Sequence, residues 1–171
     1  NGLDSLCAGC TVRGGHGGGI YCDSGTTYIA GTVIRSNTTG SSQNSAPDGF
    51  GGYGGGIFNN GSLTVYQSSI GENTTGSGVN GGHGGGIYNG SILQVFQTSI
   101  YKNLTGSSAN SGNGGDGSGI YNANSIELRN CTISTNATGS GDSGDSDPLP
   151  GNGGDGGGIF NSGVSCIIDH C

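Results

Sequence analysis

The sequence has no methionine and no tryptophan, and only 9% of its 171 residues are Asp, Glu, Lys or Arg. Its cations are Arg13, Arg35, Lys102 and Arg129, set against 11 acids, for a net charge of −7. That balance offers no basic surface to a phosphate backbone, so nucleic acid is excluded as a partner. No apolar run approaches the roughly 18 residues of a spanning helix, so no membrane span is expected. Helical periodicity of useful length is missing as well. Hydrophobic residues reach only 29%. That is too few for a wide core, but enough for a narrow one fed by a few inward side chains per layer.

What the chain does have is glycine, 42 residues of it. The glycines follow no three-residue period, which excludes collagen. Simple disorder would lack regularly placed β-branched and aromatic residues, whereas here Ile, Val, Tyr and Phe recur at fixed places. Five segments align: Gly14–Tyr21, Gly51–Asn59, Gly81–Asn89, Gly114–Asn122 and Gly153–Asn161. Each reads Gly-Gly-x-Gly-(Gly/Ser)-Gly-Ile followed by Tyr or Phe. A second block follows the first four: Ile34 to Asn37, Ile70 to Asn73, Ile100 to Asn103 and Ile133 to Asn136.

The spacings separate two halves of the unit. From the first Ile to the second is 14, 13, 13 and 13 residues, while from the Asn to the next first Ile is 20, 14, 17 and 23. Fixed length marks a half held in register by its neighbours, and variable length marks a loop. Inside the fixed half, Leu63-Thr-Val65, Leu93-Gln-Val95 and Ile126-Glu-Leu128 alternate with period 2, as half-buried strands do. Asn59-Asn-Gly-Ser62 and Asn89-Gly-Ser91 supply turns.

One such unit cannot bury its apolar face, so like residues must stack on like. Ile20, Ile57, Ile87, Ile120 and Ile159 form one internal column, and Ile34, Ile70, Ile100 and Ile133 another. The expected fold is all-β: a parallel β-helix (β-solenoid) of about five irregular coils, with Gly/Ser-rich loops on one side. A β-propeller is the competing architecture, but its blades need about four strands in about 40 residues. The expected organisation is a single solenoid domain over 1–171. Its repeats fall near 14–50, 51–80, 81–113, 114–152 and 153–171, after a Cys-containing segment, 1–13. The glycine triplets are read as turns needing positive φ or close backbone approach, the alternative being packed polyglycine helices.

The paired Gly-Gly-Gly-Ile-(Tyr/Phe)-Asn and Ile-x-x-Asn motifs resemble the Gly-rich repeats of right-handed parallel β-helix surface proteins. These include pectin-lyase-like adhesins and polymorphic outer-membrane proteins of bacteria. The resemblance runs from Gly14 to Asn161 and implies a secreted or cell-surface setting. The cysteines and longer loops depart from that pattern and are more loosely similar to extracellular filament proteins such as mastigoneme subunits.

Six cysteines, Cys7, Cys10, Cys22, Cys131, Cys166 and Cys171, point to disulfides in an oxidising compartment, with connectivity open. A redox role for Cys7-Ala-Gly-Cys10 would need a βαβ context, and a zinc site would need a second ligand pair. No metal or other cofactor is expected. Asp142, Asp145 and Asp147 fall in the longest variable segment without an adjacent cation, which reads as a solvated loop. Asp116 and Asp155 share a repeat slot that His16, Tyr53 and His83 fill elsewhere, so no shared chemistry is expected there. The two histidines are read as exposed loop residues. No nucleophile–base set or paired acid–base carboxylates emerge, and no enzyme activity is expected.

Asn-x-Ser/Thr sequons occur at Asn37, Asn60, Asn73, Asn89, Asn103, Asn130 and Asn136. Four of them, Asn37, Asn73, Asn103 and Asn136, share one repeat position. There either a glycan projects or the Asn forms an internal ladder at the turn.

The chain begins at Asn1, read as a mature or excised piece of a secreted precursor. Neither end is expected to form a polar cap, and cysteines crowd both. A translational repeat meeting its own copy makes a non-closing, head-to-tail contact. The expected function is a structural, glycosylated subunit of an extracellular filament or cell-surface appendage, a homopolymer whose other partners are cell-surface proteins or glycans. The alternatives are a fragment of a cell-surface adhesin and a β-helix polysaccharide lyase.

Overall fold

The structure, a computed structural model, describes residues 14–42, 49–109, 111–142 and 151–171. Where the repeat reads as an Ile-aromatic strand and one longer strand, the longer one is broken at a positive-φ residue, Gln67, Gln97 or Asn130, so a full coil carries three short strands. The first coil holds β1 (Ile20–Cys22), β2 (Thr26–Ala30) and β3 (Val33–Arg35). The second holds β4 (Ile57–Asn59), β5 (Ser62–Tyr66) and β6 (Ser69–Gly71), and the third β7 (Ile87–Asn89), β8 (Ile92–Phe96) and β9 (Ser99–Tyr101). The fourth holds β10 (Ile120–Asn122), β11 (Ser125–Arg129) and β12 (Thr132–Ser134), and the last β13 (Ile159–Asn161) and β14 (Ser165–Asp169). No helix occurs among the described residues.

Every strand pairs in parallel with its counterpart one coil away, giving sheets ordered β1-β4-β7-β10-β13, β2-β5-β8-β11-β14 and β3-β6-β9-β12. The fold is the all-β parallel solenoid that the repeat implies. Pairing is in register, Ile20 on Ile57 on Ile87 on Ile120 on Ile159. Parallel register places identical side chains above one another at about 4.8 Å, so each inward position becomes a column. Ile57, Ile87 and Ile120 fill one; Leu63, Leu93 and Ile126 another; Ile29, Val65, Val95 and Leu128 a third; Ile34, Ile70 and Ile100 a fourth. A core four columns wide needs few apolar residues, which accounts for the low hydrophobic content.

The rigid part of the coil is longer than the spacing implied. Beyond the Ile-x-x-Asn block the backbone stays in register through Thr38, Thr74, Leu104 and Ala137, and through Gly78 with Ser108. Register resumes at Phe50 with Asn80, where Asn113 and Asn152 continue the row. Successive coils are 37, 30, 33 and 39 residues long. The slack sits almost wholly between the Ser41, Ser77, Ser107 and Ser140 row and the Phe50, Asn80, Asn113 and Asn152 row.

The triplet glycines are turn residues with close backbone neighbours. Gly54 has φ +67°, and an added Cβ would lie 2.8 Å from the Phe58 Cα, a conformation open to Gly alone at little cost. At Gly55 an added Cβ would collide with the Gly85 carbonyl oxygen of the next coil.

Candidate functional site: axial ladders and a polar groove

The shared sequon position is an internal ladder. Asn73 and Asn103 are buried. The Asn37 Nδ2 donates to Asn73 Oδ1 at 2.9 Å, Asn73 Nδ2 to Asn103 Oδ1 at 3.0 Å, and Asn103 Nδ2 to Asn136 Oδ1 at 3.0 Å. The second amide hydrogen of Asn73, Asn103 and Asn136 goes to the carbonyl of Ile34, Ile70 and Ile100 respectively. Two residues on, the buried Thr39, Thr75 and Thr105 form a second ladder. Each hydroxyl bonds the Gly52, Gly82 or Gly115 carbonyl and accepts the N–H of Gly76, Gly106 or Gly139. Asn-x-Thr here is thus the spelling of two adjacent ladders. The sequence signal for the second ladder is the Thr two residues after Asn37, Asn73 and Asn103, which also completes a sequon.

Asn89 belongs to another buried row. Asn59 Nδ2 donates to Asn89 Oδ1 at 2.7 Å, Asn89 to Asn122 at 2.6 Å and Asn122 to Asn161 at 2.6 Å. A glycan needs the amide nitrogen free and facing solvent, and at Asn73, Asn89 and Asn103 it is neither. Asn60 and Asn130 are exposed, and Asn37 and Asn136 are half-buried at the ladder ends.

Outside the first sheet, Tyr21, Phe58, Tyr88, Tyr121 and Phe160 stack with ring centroids 5.0–5.2 Å apart. Such pairs contribute about 0.5–1.5 kcal/mol each beyond burial. The variable slot lies against this row: His16 stacks on Phe58, Tyr53 on Tyr88 and His83 on Tyr121. His83 is therefore not an exposed loop residue. Its side chain is 21% exposed and its Nδ1 accepts the Asp116 N–H at 2.9 Å. Burial lowers its pKa from the ordinary 6.5, against the opposing pull of the Asp116 carboxylate. His16 Nδ1 likewise accepts the Tyr53 N–H.

Asp116 and Asp155 do stack, Asp116 Oδ1 accepting the Asp155 N–H at 2.8 Å. With His83, Phe50, Asn80, Asn113 and Asn152 they line a groove of about 400 Å³ running along the stack. The Asn row was not singled out from the sequence; its signal is Asn before Gly-Gly at 80, 113 and 152. Asp145 and Asp147 lie outside the described residues, and Asp142 accepts the Gly151 N–H at its carbonyl.

Cys22, Cys131, Cys166 and Cys171 are thiols in this structure, and Cys7 and Cys10 lie outside the described residues. None of these four is joined to another in this structure. Cys22 and Cys166 belong to different sheets at opposite ends of the stack, Cys22 beside Asn59 and Cys166 beside Ile126. Comparison with family models, curated proteins and solved structures found no match to this chain.

Proposed function

We propose that this chain is a structural segment of an extracellular filament or cell-surface appendage, extended by stacking one copy head to tail on the next. The observation that supports this most is the axial register of the coils. The Ile, Leu and Val columns, the Asn and Thr ladders and the aromatic row repeat from coil to coil without closing on themselves, and Ile168 in β14 continues the column of Val65, Val95 and Leu128. A further coil of the same pattern extends these columns by the same contacts. The first coil of a second copy would supply Ile20 for Ile159 and Ile29 for Ile168. A non-closing contact of this kind makes a fibre, and the Asn, Thr and aromatic ladders would then run through it.

Electron microscopy of the native material tests this reading. Unbranched fibres a single solenoid wide are expected; isolated monomers at every concentration overturn it.

The adhesin reading draws on the polar groove, whose Asn and Asp rows and Phe50 suit an extended glycan lying along the axis. The lyase reading draws on Asp116 and Asp155 alone, and their roles as ladder members weaken it.

A further inference from the structure

Thr32, Ser68, Thr98, Cys131 and Cys171 occupy one column at the corner between the second and third sheets. In the early coils it is a hydroxyl ladder. Thr32 N–H donates to Ser68 Oγ and Ser68 N–H to Thr98 Oγ1, both at 3.2 Å. Each hydroxyl also donates to the carbonyl two residues back, Ser68 to Tyr66 and Thr98 to Phe96. The cysteines reproduce that pattern, and Cys131 Sγ also bonds the Val95 carbonyl at 3.3 Å. Cys131 N–H donates to Cys171 Sγ at 3.3 Å, while Cys131 Sγ bonds the Arg129 carbonyl and Cys171 Sγ the Asp169 carbonyl, both at 3.4 Å.

The two cysteines therefore hold the same position in adjacent coils. The strands before them are in register, Arg129 on Asp169, and Asn130 N–H donates to the Asp169 carbonyl at 3.0 Å. Neighbouring parallel strands lie about 4.8 Å apart, inside the roughly 4.4–6.8 Å Cα window of a disulfide. Among the described cysteines no other pair shares a column: Cys166 stacks on Ile126 and Cys22 on Asn59. A hydroxyl already serves the ladder in the coils above. Sulfur at two successive rungs can add what a hydroxyl cannot, a covalent bond.

We propose that Cys131 and Cys171 form a disulfide that staples the last coil to the fourth across the variable segment 141–151. Cys131 is buried and Cys171 exposed, which sets the order of events. With glutathione disulfide as oxidant, the Cys171 thiolate attacks one sulfur, its S–S bond breaks, and one glutathione thiolate leaves. The Cys131 thiolate then attacks Cys171 Sγ and expels the second. Two protein thiols lose two electrons and two protons, and glutathione disulfide becomes two glutathione thiols.

The full chain, folded in a glutathione redox buffer and blocked with N-ethylmaleimide, is digested by cleavage after Phe160 and before Asp169. This puts Cys131, Cys166 and Cys171 on separate peptides. A reducible peptide joining Cys131 to Asp169–Cys171 is expected. N-ethylmaleimide on both cysteines, or Cys171 joined to Cys166, overturns the proposal. A reductant should lower the thermal midpoint of the oxidised chain by about 10 °C. Cys171→Ser, which keeps a hydroxyl on the rung as Ser68 does, should lose that response with its β-sheet circular dichroism unchanged. An unshifted midpoint in the wild-type chain on reduction overturns the staple.

Discussion

Asn103 donates to Asn136 and to the Ile70 carbonyl while its own Oδ1 accepts both the backbone and side-chain N–H of Asn73. Removing it leaves several buried groups without partners at about 1–3 kcal/mol each. Asn103→Ala is expected to destabilise by about 3 kcal/mol or more in urea unfolding, whereas Asn60→Ala should stay within about 0.5 kcal/mol. In a glycosylating host, glycopeptides are expected at Asn60 or Asn130 and not at Asn73, Asn89 or Asn103; an occupied Asn103 in folded protein would overturn the ladder assignment. His83 gives the pH dependence. Its folded pKa lies below 6.5, chiefly through burial, so the unfolded chain binds the proton first as pH falls. The stability this neutral ring contributes is complete above about 6.5 and is lost as pH drops below that, levelling off beneath the folded pKa. Titration of the His83 ring by NMR should show a midpoint below 6.5 and a falling urea midpoint over the same range.

Between coils, strands and slack divide the work. The turn from β10 to β11 holds only Ala123 and Asn124, and a strand shifted by one residue turns its inward side chains outward. The slack segments already differ in length from coil to coil, and longer loops cost little closure entropy. Inserting Gly-Ser-Gly between Asn110 and Ser111 is therefore expected to lower stability by less than about 1 kcal/mol. One Gly inserted after Glu127 turns Leu128 out of the core and should cost about 3 kcal/mol or more. Equal urea midpoints for the two variants would contradict this division.

For the whole molecule, the periodic elements were legible and their partners only partly so. The strands showed because alternation at Leu63, Val65, Leu93, Val95, Ile126 and Leu128 is a local property of the chain. The Ile columns followed, since a unit of this size can bury an apolar face only against its own repeat. The Asn-x-Thr column could be read as a glycan acceptor or as a ladder, because both use the same letters. His83 was misplaced because a loop histidine and a stacked one have the same neighbours in sequence, and only Tyr121, one coil away, makes the difference.

Glycine content, repeat spacing and low charge by themselves determined a parallel solenoid with a narrow core. Tertiary structure decided which polar residues face inward, how far the register persists beyond each Asn, and that Cys131 lies beside Cys171. Those facts depend on contacts between residues 30 to 40 positions apart. Local pattern sets the direction of a side chain along its own strand, but only the stacked neighbour sets what it meets.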